Sequence, residues 1–561
     1  MENKIDEKKF EDTFWADQAA EEAIERVENS KFLKEVVKKR GFYVVMDEKT
    51  PSGTIHIGSG RGWVIHDAIA KALRDKGVKS KFILSSDDMD PLDKPSKELS
   101  KEDNEKYIGV PFRYIPSPVE GYKHFGDYYF RQCTDLFPDF GIEAEFESTG
   151  EEYEKGSFNK TIKIALDNAG KIQEIYTKLY GDEVAAASKL PFNVLCPQCK
   201  KISTTLAMEW NKEKEQIYFE CRNDVVDWAK GCGYSGWISP YDGNGKFPWK
   251  VEWAAKWPTK SVIIETAGKD HFTKGGSRTA ACHFAVDVFG YPPPYPSSGY
   301  ETGPGYEFFT VGGKKMSTSK GHGLGFADSI NYAPAKMLRF LLIRTRPNAV
   351  IDFDPYSNDL ILLYERYDQA ELVYFGNEDM GEKENVRQKR IYELSHVGKI
   401  SKRIPPQVSL SQASMLVQIF QDENLILESL RRTGQLAEDA SKSEINYIRE
   451  RLRFAKKWVE EFADEQYKFI LQKEIPGNIK LDESQKAALR ILASELKEKK
   501  WNENTLFNEF YRIAKDEVKI NTPELFKAAY LVLLNKERGP KLVPFILALG
   551  KEKVAEMFEK V

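Results

Sequence analysis

The chain has 561 residues, 41% hydrophobic and 30% charged, a balance that excludes fibrous and low-complexity classes and leaves room for about two to four cored domains. Its 83 basic and 87 acidic residues give a net charge of −4, so the total does not mark a nucleic-acid binder, although a local basic face would be enough for one. No apolar run is long enough to span a bilayer, and Met1-Glu2-Asn3-Lys4 opens on charge without an apolar leader, so a cytoplasmic protein is expected.

Taken in chain order, the first legible unit is strand, loop, helix and strand. Phe42-Tyr43-Val44-Val45-Met46 is a β-branched and aromatic run that predicts a buried strand. A loop with Pro51 and Gly53 follows. Trp63, Ile65, Ala68, Ile69, Ala72 and Leu73 then make a helical apolar stripe, and Gly77 is placed to stop the helix. Lys81-Phe82-Ile83-Leu84-Ser85 predicts the next strand, completing a βαβ unit of a parallel sheet. A long mixed insert separates this unit from another strand candidate, Ser261-Val262-Ile263-Ile264-Glu265. Beyond it, Tyr291-Pro292-Pro293-Pro294-Tyr295-Pro296 reads as a stiff extended connector into a strand at Phe308-Phe309-Thr310-Val311. From about Pro334 strand-like runs vanish and helical periodicity continues to the end, as at Met415, Ile419 and Phe420 or at Leu525, Phe526, Ala529 and Val532. Pro405-Pro406 marks a loop there, and the absence of an internal repeat points to one helical domain.

Two short motifs carry the chemistry. Pro51-Ser52-Gly53-Thr54-Ile55-His56-Ile57-Gly58-Ser59 lies between a strand and a helix. Backbone N–H groups and the positive helix end meet there, which suits a phosphate. The dinucleotide fingerprint GxGxxG is not present at this turn. Lys315-Met316-Ser317-Thr318-Ser319-Lys320-Gly321 lies in a glycine-rich stretch starting at Gly312-Gly313. A hinged loop of cations can close on a triphosphate and stabilise charge that develops as pyrophosphate leaves. Between the two, Ala267-Gly268-Lys269-Asp270-His271 follows the strand candidate at residues 261–265, where ligands bind beyond strand ends; Asp270 there reads either as a ligand group or as the cap of the next helix.

Four of the six cysteines cluster. Cys196-Pro197-Gln198-Cys199 is a knuckle, and Cys221 and Cys232 can complete a tetrahedral Cys₄ site, with zinc the expected metal and a structural role. A redox CxxC would need a strand–CxxC–helix context, which is missing. Cys133 and Cys282 stand alone and read as small buried residues.

His56-Ile57-Gly58-Ser59 and Lys315-Met316-Ser317-Thr318-Ser319 resemble the HIGH and KMSKS motifs of class I aminoacyl-tRNA synthetases, with Ser59 replacing the last His and Thr318 the middle Lys. Phe14-Trp15-Ala16-Asp17, Pro51-Ser52-Gly53 and the tryptophan trio in residues 249–257 narrow the resemblance to the class I lysyl-tRNA synthetases of archaeal type. The resemblance implies an α/β fold: a doubly wound, parallel-sheet (Rossmann-type) catalytic domain with a zinc-containing insertion, then an all-α C-terminal domain. It implies the first half of the catalytic domain at 1–110 and a connective insertion at 111–260 with its Cys₄ module near 190–237. The second half follows at 261–330, a linker at 331–370 and a helical anticodon-binding domain at 371–561. It implies catalytic roles for His56, Gly58, Ser59, Lys315, Ser317, Ser319 and Lys320. ATP would be held by Pro51, Ser52, His56, Gly58, Asp270, Lys315 and Met316, and lysine by Gly53, Trp249 and His271, which lie in matching stretches; Thr54, beside Gly53 for the α-amino and carboxylate groups, and Tyr300, as aromatic wall for the stem, join that pocket on residue chemistry alone. Tyr295 and Glu301 are further pocket candidates. The implied substrates are L-lysine, ATP with Mg²⁺, and tRNA(Lys). Alternatives remain at this point: a glutamyl- or glutaminyl-type synthetase, which needs an arginine opposite the substrate carboxylate and shows none near residues 249–271; an ATP-dependent nucleotidyltransferase without tRNA; and a non-enzymatic RNA-binding scaffold.

Overall fold

Val44, Val45 and Met46, fully buried, form the centre of strand β1 (Tyr43–Lys49), and everything that positions the site is arranged around it. The computed structural model describes residues 13–181, 190–315 and 324–561. After β1 the chain enters helix α1 (Ile57–Asp75), whose Trp63, Val64, Ile65, Ala68 and Ile69 are buried. Gly77, at φ +81°, turns it into β2 (Ser80–Ser86). Strands β3 (Ala144–Ser148) and β4 (Val262–Ile264) complete a four-stranded sheet in the order β3-β2-β1-β4. Every pairing is parallel, with Val45 opposite Phe82 on one side and Ile264 on the other. The order therefore reverses between β1 and β4, the kind of switch point at which parallel sheets open a crevice beyond their strand ends. The fold is the Rossmann-type parallel sheet with helices that the sequence indicates.

Helix α2 (Trp249–Lys260) precedes β4, and α3 (Ser277–Phe284) follows it. The long insert ahead of α2 contains a small antiparallel sheet of Thr205–Asn211, Gln216–Cys221 and Ser235–Ile238. It returns through Gly245–Lys246, which pairs with Asn193–Val194.

The chain divides into two compact units. The first holds the parallel sheet, the insert, residues Ala335–Phe353 and residues Gly381–Ile400; the second holds Tyr332–Pro334, Asp354–Met380 and Ser401–Val561. Two details depart from the sequence reading. A short strand, Ile351–Asp352, lies past Pro334 and pairs in parallel with Phe309–Val311. Helix Glu382–Ser395, which falls within the expected last domain, packs in the first unit, because Arg390 pairs there with Asp17 and Asp75. The second unit is helical, and its helices begin at capping boxes such as Ser441 with Glu444 and Asp482 with Gln485. Leu489, Leu492, Phe510, Leu525 and Phe558 are fully buried in it. No helix among the described residues is long and apolar enough to cross a membrane.

Candidate active site

The two sequence motifs are brought together by backbone hydrogen bonds. His56 is the N-cap residue of α1, with φ −80° and ψ 158°, and Ile57 begins the helix. The Ile57 N–H donates to the carbonyl of Leu324 at 2.9 Å, and the Phe326 N–H donates to that of Ile55 at 2.8 Å. Leu324 to Phe326 is where the chain emerges from the lysine-rich stretch, so that exit is clamped beside His56. Its entry is the hairpin of Phe309–Val311 with Lys314–Lys315, turned by Gly312 and Gly313 at φ +56° and +73°. Both glycines sit in the left-handed region that other residues avoid. Arg61, buried on α1, donates to the carbonyls of Glu307 and Phe308 at 2.8 and 3.0 Å and so fixes that hairpin against the helix. Lys315 is described in its backbone only, and Met316, Ser317, Ser319 and Lys320 lie outside the described residues.

A cavity of about 350 Å³ opens beyond the C-terminal ends of β1, β2 and β4, at the switch point. Asp47, Glu48 and Lys49 reach it from β1, Asp87 from the end of β2, and Glu265, Thr266 and Gly268 from the end of β4. Trp249, Glu252 and Trp253 reach it from α2, Ser59 and Trp63 from α1, and Lys246 from the insert. Six carboxylates line it: Asp47, Glu48, Asp87, Asp90, Glu252 and Glu265. Lys256, behind the lining, pairs with Asp87 at 2.5 Å, Glu48 at 3.0 Å and Glu252 at 3.3 Å. Lys246 pairs with Glu252 at 3.0 Å and with Asp90. Burial pushes the Glu48 carboxyl well above its usual range, against the pull of Lys256. Burial also pushes Asp87 upward, but Lys256 and Lys246 outweigh it and hold that group below the ordinary carboxylate value. Acid outnumbers base around the cavity, and a cationic ligand is the charge that would restore balance.

One wall is aromatic. The Trp249 ring lies 6.4 Å from Trp253 and 6.1 Å from His271, and Trp253 lies 5.5 Å from His271, edge to face. The Trp253 indole is held by its N–H donating to Glu265 Oε2 at 2.8 Å, and the Trp257 indole by the same oxygen at 2.5 Å. Arg278 on α3, fully buried, donates to that oxygen at 3.0 Å and also to Ser297 Oγ and the Pro294 carbonyl. An arginine therefore does stand near the tryptophans in space, but each of its three nitrogens is bonded to Glu265, Ser297 or Pro294, and it does not line the cavity. The rival that needs an arginine facing a substrate carboxylate gains nothing from it.

Of the sequence candidates, Ser59, Trp249 and His271 line the cavity. Pro51 is buried and touches the Gly126 position, while Ser52 and Thr54 are exposed. Gly53 has open space where a side chain would begin. Asp270 sits in the turn Lys269–His271, and the next helix is capped by Gly276, so the capping alternative for Asp270 does not apply. Tyr300 and Tyr295 are not among the lining residues: Tyr300 is half exposed, stacks on His283 at 4.5 Å and donates to Asp287, and Tyr295 pairs with the edge of β4. Glu301 is exposed. Asp47, Glu48, Lys49, Asp87, Glu252, Glu265 and Tyr306 escaped the sequence reading. The signal available was charge immediately after buried runs, Asp47-Glu48-Lys49 and Asp87-Asp88, at parallel strand ends.

In the insert, the Sγ atoms of Cys196, Cys199, Cys221 and Cys232 all lie within 4.8 Å of one another. Cys196 and Cys232 are 3.6 Å apart and Cys199 and Cys221 3.7 Å. A tetrahedron with metal–sulfur bonds of about 2.3 Å has edges of roughly 3.8 Å, close to these two separations, so the four thiols are grouped as a tetrahedral thiolate site for zinc requires. Lys200, at φ +60°, and Gly233, at φ +80°, turn the two knuckles.

The family described as tRNA synthetases class I (K) matches residues 13–398. A lysine–tRNA ligase of Methanocaldococcus jannaschii is 33% identical over 559 residues, covering 97% of this chain and 99% of that protein. A lysine–tRNA ligase of Methanococcus maripaludis is 32% identical over 544 residues, covering 93% and 97%. Among solved structures, a glutamate tRNA ligase of Elizabethkingia meningosepticum matches at 12% identity with a TM-score of 0.38, over 92% of this chain and 98% of that one, a likeness too loose to carry an argument.

Proposed function

The chain belongs to the class I (K) tRNA synthetase family, and from that premise we propose that it is a lysine–tRNA ligase. The observation that carries the choice of lysine is the cavity itself: six carboxylates and an aromatic wall at the switch point of the sheet. An aliphatic stem packs on Trp249 and Trp253, and an ammonium meets carboxylates and ring faces. The lysine carboxylate oxygen attacks the α-phosphorus of ATP, which enters with Mg²⁺, and pyrophosphate leaves with the electrons of the broken P–O bond. A hydroxyl of the terminal adenosine of tRNA(Lys) then attacks the adenylate carbonyl, and AMP leaves.

Little covalent work falls to the protein; positioning and charge suffice. His56, Gly58 and Ser59 at the start of α1 receive the phosphates, together with Pro51 and Ser52 on the approach. Asp270 holds the ribose. Lys315 and Lys320, with Met316, Ser317 and Ser319, neutralise the departing pyrophosphate. Gly53, Thr54, Trp249 and His271 hold lysine, and Tyr300, engaged with His283 and Asp287, takes no part. Cys196, Cys199, Cys221 and Cys232 would hold Zn²⁺, which would supply a cross-link for a module too small to bury a core of its own. The insert is assigned to the acceptor end of tRNA and the helical second unit to the anticodon, in the cytoplasm. The test is charging of purified tRNA(Lys) with radiolabelled lysine. Acid-precipitable lysine that depends on ATP supports the reading, and charging with glutamate instead would replace it with the glutamyl-type alternative.

A further inference from the structure

Five of the six carboxylates around the cavity have a Lys or Arg within ion-pair distance. Glu48 and Asp87 share Lys256, Asp90 has Lys246, Glu252 has both lysines, and Glu265 has Arg278. Asp47 has none among the described residues. Its Oδ1 accepts the Glu48 N–H at 2.8 Å, and the nearest basic atom to Oδ2 is His66 Nδ1 at 3.5 Å. That ring is neutral. Its Nε2 accepts the Thr266 N–H at 3.0 Å, so Nδ1 carries the proton and donates it to the Gly62 carbonyl at 2.7 Å. Asp47 therefore faces the cavity as a carboxylate without a counter-charge.

A glycine lets Asp47 pack close to the helix. A Cβ placed on Gly62 of α1 would fall 3.0 Å from Asp47 Oδ2 and 2.6 Å from the Tyr306 hydroxyl. Both oxygens thus pack against Gly62 so closely that a methyl there would force one of them to move. Tyr306 is held there by its backbone, which pairs with Ala267 and Lys269 on the loop after β4. Asp47 and Tyr306 line the cavity together with Trp253 and His271, and an anionic oxygen and a hydroxyl beside aromatic rings suit a primary ammonium.

We propose that Asp47, which lines the cavity together with Tyr306, is the residue that selects a substrate with a side-chain ammonium. This rests on the lysine reading above and names the group that enforces it. The aromatic wall binds any long stem; Asp47 rejects stems whose end carries no positive charge, because its carboxylate would then be buried unpaired. Burial, opposed only in part by the Glu48 N–H and Lys49, raises the Asp47 carboxyl to about 7, as fits a group waiting for its counter-ion.

The test is amino-acid-dependent ATP–pyrophosphate exchange by the full chain with lysine, norleucine and glutamate, in the wild type, Asp47→Asn and Gly62→Ala. The expected result is a KM for lysine about 100-fold higher in Asp47→Asn, an unchanged KM for ATP, and a lysine-to-norleucine preference that collapses toward unity. Gly62→Ala, whose added methyl must displace the Tyr306 hydroxyl or Asp47 Oδ2, should raise the lysine KM in the same way while the melting temperature shows that the fold is kept, and it decides the matter if Asp47→Asn is poorly folded. A lysine KM within about threefold of wild type in both variants overturns the proposal while leaving the lysine reading intact. Wild-type exchange driven by glutamate and not by lysine overturns the reading itself.

Discussion

Lys256 offers the sharpest test of the charge balance around the cavity. Its side chain is 2% exposed, and its Nζ lies 2.5 Å from Asp87, 3.0 Å from Glu48 and 3.3 Å from Glu252. Lys256→Met keeps the stem and removes the charge. Asp87 and Glu48 then lose the one cation that lies within ion-pair distance of them among the described residues, while Glu252 retains Lys246. Breaking a buried pair by deleting one partner costs about 3–5 kcal/mol, and here one deletion strips two carboxylates. With an unfolding entropy of about 2.1 cal/mol/K per residue, the first unit, of roughly 370 residues, shifts by about 1.3 °C per kcal/mol, so the melting temperature should fall by roughly 4–7 °C. The loss has a pH signature. Without Lys256 the Asp87 carboxyl is no longer held below its ordinary value, and burial drives it and Glu48 upward. A carboxyl raised in the folded state gives stability below its ordinary range that is lost as pH rises through the raised value. The variant should therefore lie closest to wild type near pH 5 and farthest near pH 8. Calorimetric melts of both proteins at the two values measure this. A fall under about 2 °C, or the same fall at both pH values, would refute the electrostatic account of the cavity.

Trp249, 48% exposed, is a wall residue that the fold does not need, so Trp249→Ala should raise the lysine KM by about tenfold at unchanged melting temperature; an unchanged KM would remove it from the pocket. Cys221→Ser should abolish bound zinc, measured by atomic absorption, and reduce tRNA charging while tRNA-independent lysine activation stays within about threefold; a full complement of zinc in the variant would contradict the four-cysteine cage. Asp47, raised by burial to about 7, carries its charge above that value and loses it below. The lysine KM should accordingly climb about tenfold from pH 8 to pH 6, and the climb should be absent in Asp47→Asn. Of the groups facing Asp47, His66 is lowered by burial to about 4, burial acts upward on Asp87 but Lys256 and Lys246 hold it low, and burial raises the Tyr306 hydroxyl far above neutrality. Burial raises Glu48 and Glu265 as well, so it is the absence of the climb in Asp47→Asn that assigns it to Asp47.

The framework of the site was legible wherever local pattern decides it. Val44-Val45-Met46, the stripe from Trp63 to Leu73, and Gly77 gave strand, helix and turn without help from distant residues, and their positions agree with β1, α1 and β2. The cysteine cage was equally legible, because knuckle spacing is a local property. The acid floor of the cavity was not. Asp47, Glu48 and Lys49 look like a solvated strand end until Glu265, Lys246 and Lys256 arrive from more than a hundred residues away. Periodicity gives no register between β1 and β4, so no reading of the chain could place those charges together. Helix Glu382–Ser395 illustrates the same limit: its pattern says helix, but only Arg390 meeting Asp17 and Asp75 assigns it to the first unit. Tyr300 was chosen for its residue type, and its ring instead found His283.

The central claim is that a family member with this cavity activates lysine. ATP–pyrophosphate exchange with each of the standard amino acids in turn, with and without tRNA, tests it most directly. The account predicts exchange driven by lysine and by no acidic or uncharged amino acid. Exchange driven by glutamate or glutamine, or none with any amino acid in either condition, would contradict it.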